Sequence, residues 1–399
     1  MARASRLASD GQIQPPPAPC TPFLRLGFRP FYLLGAAFAA MAIPLWLGRY
    51  LGWFSTPTNV DLYWHGHEMV FGFAMAVIVG FLYTAGRNWT GLWTPRGNAL
   101  AFIAGIWVLG RLAMLFADPR IAAMIDLVFL PVAAWPLYQV LKHAQNRRNL
   151  ALLAIIALLW SADLAFHASR FGWLAMSPLL ATESAILLIV MLMSIIGGRV
   201  IPPFTTNAIG EPRAIIDPRL DRWVIVATAA TCLAWSLPLP HWLVLPVAVI
   251  AAGLHLRRLG GWRSRHVLGR PLLWILHLAY AWIPLGLLLL GLSAIGVVAQ
   301  SAAFHALTIG AMAGLIVGMI TRTALGHTGR TLAARLPERC MYVLIMSAAL
   351  ARLAAAMLPA QYQAGMLVVS LLCWVSTFVI YVAVYGPYLM RTREDGMEG

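Results

Sequence analysis

The residues with chemistry to offer in this chain are histidines and acids set inside apolar runs. Trp64-His65-Gly66-His67-Glu68-Met69 opens one such run, which continues from Val70 to Thr84. Charge and unpaired polarity at membrane depth are costly, so a lipid-facing helix has no use for these groups and the inside of a helical bundle does. His65 and His67 are two apart, which in a helix turns them about 200° from each other at about 100° per residue. One helix could then serve two neighbouring sites. Glu68 lies about one turn on from His65 and could orient a ligand or relay protons. Asp163 and His167, at i and i+4, share a face of another run. Glu183 is a further acid in an apolar setting, and His305 and His277 sit in two later runs. Neutral imidazole is the commonest metal ligand, and a site needs several to converge.

Such convergence needs a scaffold, and composition says which. The chain has 399 residues, 61% of them hydrophobic and 11% charged, with mean hydropathy +0.77. Soluble domains are roughly 25% charged. The class is a polytopic, all-α membrane bundle. Twelve apolar runs, at about 30–50, 66–86, 98–117, 121–141, 149–168, 179–198, 222–238, 241–256, 271–292, 297–320, 338–358 and 364–388, are each near the ~20 residues that a spanning helix needs. Residues 1–22 are polar and proline-rich and read as a disordered tail, 23–390 as one transmembrane domain and 391–399 as a second tail. The formal charge of +15 follows topology and does not point to nucleic acid. With the N-terminus inside, 24 of the 29 cations fall on the inner side, which puts both termini in the cytoplasm. The exceptions are Arg49, Arg111, Arg120, Arg170 and Arg352. Cys20, Cys232, Cys340 and Cys373 form no CxxC or CxxCH, so they offer neither a zinc ribbon nor a covalent haem attachment.

An internal repeat relates the runs. A shift of 238 residues carries His67 onto His305, Gly72 onto Gly310, Gly80 onto Gly318 and Gly91 onto Gly329. Half that shift brings His65 onto Glu183. Together the shifts suggest three units of four helices in one orientation. His67 and His305, at matching depth in repeat-related helices, read as sharing a ligand. His277 is left open between a second metal, a quinol contact and a hydrogen-bonded core residue. His241, His143, His266 and His327 read as loop or interfacial residues. No Walker loop, dinucleotide fingerprint or Ser-His-Asp pattern is present.

Seven motifs carry a resemblance. Arg25-Leu26-Gly27-Phe28-Arg29-Pro30-Phe31, Trp64-His65-Gly66-His67-Glu68-Met69, Asn88-Trp89-Thr90-Gly91, Gly198-Arg199-Val200-Ile201-Pro202, His277-Leu278-Ala279-Tyr280, His305-Ala306-Leu307-Thr308 and Thr321 to Gly329 together resemble the NnrS family. The resemblance implies a bacterial inner-membrane protein with twelve helices that contains haem and copper and acts in the response to nitric oxide. A more distant likeness is to the catalytic subunit of haem-copper oxidases and nitric oxide reductases. In that superfamily, histidines on helices 2 and 10 hold a haem, the places of His67 and His305 here. The paired histidines of its helix 7 have no counterpart in 222–238, and Glu183 stands where helix 6 would supply another.

The expectation is a redox protein acting on nitric oxide. His67 and His305 would be axial ligands of a haem b. His65, with His167 and Glu183, would hold copper or a second haem. Glu68, Asp163 and Glu183 would tune ligands or carry protons. Catalysis, if present, would be of the nitric oxide reductase type, with a quinol or another donor supplying electrons and lipid as the surrounding partner. The rival readings are a transporter of copper, haem or a small solute, and a membrane protein that binds or senses nitric oxide without turnover.

Overall fold

The computed structural model describes residues 20–397. Among them the chain forms twelve long helices and no strand. They are α1 (Phe28–Tyr50), α2 (Leu62–Thr90), α3 (Asn98–Phe116), α4 (Pro119–His143), α5 (Arg147–Arg170), α6 (Pro178–Ile209), α7 (Pro218–Ser236), α8 (His241–Gly261), α9 (Pro271–Ala294), α10 (Gln300–His327), α11 (Leu336–Met357) and α12 (Ala360–Met390). Eleven of these are long and apolar enough to cross a membrane, which makes the protein multi-pass. The twelfth, α7, completes the expected twelve but is not among those eleven. Arg219, Asp221 and Arg222 crowd its first turns, yet it packs between α6 and α8.

Each helix packs on the next in sequence, and α12 returns to α1, which closes the bundle. The second helix of each expected four-helix unit, α2, α6 and α10, turns inward; α2 touches α6, and α6 touches α10. Of the spans, α2 and α10 are the most deeply buried. A helix that is apolar all round belongs in such a place. Both helices carry the same irregularity. Glu68–Ala74 in α2 and Ala306–Ala313 in α10 are π-helical, and 238 separates Glu68 from Ala306. The repeat seen in the sequence is thus repeated in the backbone. A π-turn holds more residues than an α-turn and re-aims whatever precedes it. Here it is preceded by His65 and His67 in one helix and by His305 in the other.

Close packing explains the glycines. A Cβ on Gly72 would stand 2.8 Å from an Arg111 nitrogen and 2.9 Å from Phe38, and one on Gly318 would stand 2.7 Å from Leu276. At the N-terminus the expected tail lies outside the described residues up to position 19, and Pro22–Leu24 already forms a helical turn. The other expected tail does not hang free over its described part. The Glu394 backbone N–H donates to the Thr328 carbonyl (3.1 Å), and Arg330 pairs with Glu394 at 2.9 Å.

Candidate functional site

Two polar sites share α2. The first is a cavity of about 520 Å³ bounded by α1, α2, α6, α10, α11 and α12. His65 and His305 line it, with ring centroids 6.4 Å apart and planes only 13° from parallel. Trp46 stacks on His65 at 5.2 Å and fixes its plane. The Nδ1–H of His305 donates to the Ser301 carbonyl one turn back (2.7 Å). A carbonyl only accepts, so the proton is on Nδ1 and the neutral ring keeps its Nε2 lone pair free. No hydrogen bond engages the His65 ring, whose Nδ1 is buried without a partner among the described residues. An acid and a guanidinium, Glu183 and Arg352, also border the cavity. Glu183 accepts from the Trp235 indole N–H (3.0 Å) and from the Gln300 amide (2.5 Å). Arg352, in the apolar body of α11, has no anionic partner among the described residues.

The second site lies where α2 meets α3, α4 and α5. His67 and Glu68 are fully buried, and Arg111, Asp126, Asp163 and His167 nearly so. The His67 Nδ1–H donates to Glu68 Oε1 (2.9 Å), and its Nε2 lies 2.9 Å from Asp163 Oδ1 and 3.0 Å from Asp126 Oδ2. The His167 Nε2 lies 3.3 Å from Asp126 Oδ2 and 3.6 Å from Asp163 Oδ1. Arg111 donates to Glu68 Oε1 (2.7 Å) and, through its other terminal nitrogen, to Asp126. Four potential ligand groups, His67, Asp126, Asp163 and His167, therefore converge, with ligand atoms all within 4.8 Å of one another. The π-turn completes the wall, because the Gly72 carbonyl is capped by the Trp107 indole at 3.0 Å.

The expected pairing of ligands is therefore exchanged. His305 faces His65 and not His67, whose two ring nitrogens are both engaged with carboxylates. The expected metal pair of His65 and His167 is also separated, since His65 lines the cavity and His167 the acidic cluster. Glu183 stands with His65 and away from His167, while Glu68 and Asp163 stand together against His67. His277 joins neither site. Its Nε2 meets the Thr205 hydroxyl (2.8 Å) and its Nδ1 the Ser264 hydroxyl (2.9 Å).

Sequence reasoning did not single out Asp126, Arg111 and Arg352, which the structure places at the two sites. Each is an ionisable group in an apolar helix, and that was signal enough. It also missed a buried chain in which Asp221 pairs with Arg258 (2.8 Å), Arg258 donates to the Tyr280 hydroxyl (3.1 Å) and that hydroxyl meets His255 (2.7 Å).

The family model described as NnrS protein matches residues 22–393, nearly the whole chain. No curated protein matches the sequence.

Proposed function

The chain belongs to the NnrS family, and on that premise we propose a haem-binding membrane redox protein that acts in the response to nitric oxide. The observation that carries the proposal is the facing pair His65 and His305. Their ring centroids are 6.4 Å apart with planes 13° from parallel, and both line one cavity, so both imidazoles would hold a haem there. The cavity around them falls within the few hundred to about 1,000 Å³ of a cofactor site.

The other groups fit a haem as well. Arg352, without an anionic partner among the described residues, offers its guanidinium to an acid group, which the two propionates of a haem would supply. Trp46, Phe73 and Phe304 give the apolar walls. The binding is non-covalent, because no CxxCH motif exists. A haem held there by His65 and His305 would supply one-electron chemistry at iron, tuned by the hydrogen bonds of the residues that hold it. The chain's own part is to hold two imidazoles in place, to neutralise acid groups with Arg352 and to keep a carboxyl, Glu183, at the cavity edge.

Nitric oxide is small and apolar enough to arrive through the bilayer. A second, apolar cavity of about 100 Å³, lined by Val77, Ile189, Leu276 and Leu315, shares Met312 with the first. Reduction balances as two nitric oxide, two electrons and two protons to nitrous oxide and water, with electrons from a quinol or another membrane donor. No copper is proposed between His65 and His167, which do not meet. The location proposed is the bacterial inner membrane with both termini cytoplasmic, on the cation bias.

The test is nitric oxide decay over the reduced, detergent-purified protein, followed with an electrode. Consumption that scales with haem content and is lost in His305→Ala agrees with the proposal. A haem-replete protein that leaves nitric oxide untouched contradicts the redox reading.

A further inference from the structure

We propose that His67, His167, Asp126 and Asp163 form a resident site for one divalent first-row metal ion, of the kind that accepts a tetrahedral N₂O₂ set, with Zn²⁺ foremost. The first reason is distance. A tetrahedral ion with bonds of about 2 Å separates its ligand atoms by about 3.3 Å. The four nitrogen–oxygen edges here are 2.9, 3.0, 3.3 and 3.6 Å. The second reason is orientation. His67 gives its Nδ1–H to Glu68, which leaves Nε2 as the ligand atom and aims it at both aspartates. This is the carboxylate–histidine arrangement that fixes a metal ligand's tautomer.

The third reason is charge. Glu68, Asp126 and Asp163 bring three carboxylates to a buried place inside the bundle, and Arg111 is the only guanidinium that pairs with them among the described residues. Two negative charges are left over, and one divalent ion cancels them. The donors are imidazole and carboxylate, with no thiolate or thioether. Such a set suits a borderline divalent ion and disfavours Cu(I). The site shares a helix with the haem cavity but none of its residues, so it does not depend on the haem reading.

The test uses the detergent-purified full chain, with metals counted by inductively coupled plasma mass spectrometry and haem counted on the same sample. About one equivalent of a divalent first-row metal per chain is expected. His167→Ala and Asp163→Asn should each cut it at least tenfold while haem stays bound. X-ray absorption at the edge of the metal found should read mixed nitrogen and oxygen donors at about 2.0–2.2 Å, and it decides on the wild-type protein alone should a variant not fold. A metal-free wild type, retention of the metal in both variants, or a shell containing sulfur would overturn the assignment.

Discussion

Two positions separate His65 from His67, and their surroundings share nothing: one imidazole stacks on Trp46 at an open cavity, and the other is clamped by carboxylates. Arg352 gives this contrast a test at the level of one side chain. A hydrogen bond to a charged group contributes about 1.5–3 kcal/mol, so Arg352→Gln should weaken haem retention tenfold or more, with Arg352→Lys partly restoring it. Haem transfer to an acceptor protein measures both. Unchanged retention in Arg352→Gln would remove Arg352 from the site. Gly72 supplies a second test, since its missing Cβ makes room for Arg111. Gly72→Ala should destabilise the protein by roughly 1–3 kcal/mol, read as a lower melting temperature, whereas Gly105→Ala, with open space around it, should not. At this scale the sequence made His65, His67, Glu68, Asp163, His167 and His305 legible, because each is a polar residue in an apolar run. Asp126 was equally visible by that rule. What the chain order could not convey is which of these groups meet, because Asp126 is 41 positions from His167 and on a different helix.

Among the elements, the two π-segments decide the geometry. A reading at about 100° per residue separated His65 and His67 onto different faces, which is what the structure has. The repeat then selected His67 as the match for His305, and the packing selects His65. A π-turn changes the angular step just beyond these residues, so neither azimuth nor partner follows from spacing alone. Deleting one residue from Glu68–Ala74 should restore the α-helical step and turn the preceding histidines by about 100°. Such a variant should still insert in the membrane but lose haem, and the same deletion in Ala306–Ala313 should act likewise through His305. Spectra of the two deletion variants in isolated membranes check this. Full haem in both would show that the π-segments do not aim the ligands.

For the whole molecule, composition made the class and most of the span count legible, because apolar length and arginine placement are properties of the chain itself. The twelve helices are those the apolar runs marked, and α7 differs from the other eleven in the charged residues of its first turns. The cation bias predicts that a reporter active only in the cytoplasm is active when fused to either terminus; inactive fusions at both termini would reverse the orientation. The central claim remains that one cavity holds haem between His65 and His305. Its most direct test is the haem content and reduced absorption spectrum of the purified wild type beside His65→Ala, His305→Ala and His67→Ala. The account predicts about one haem in the wild type, little in the first two variants and near-normal haem with an unshifted α-band in the third. Full haem in His65→Ala together with its loss in His67→Ala would contradict it and would return the axial role to His67.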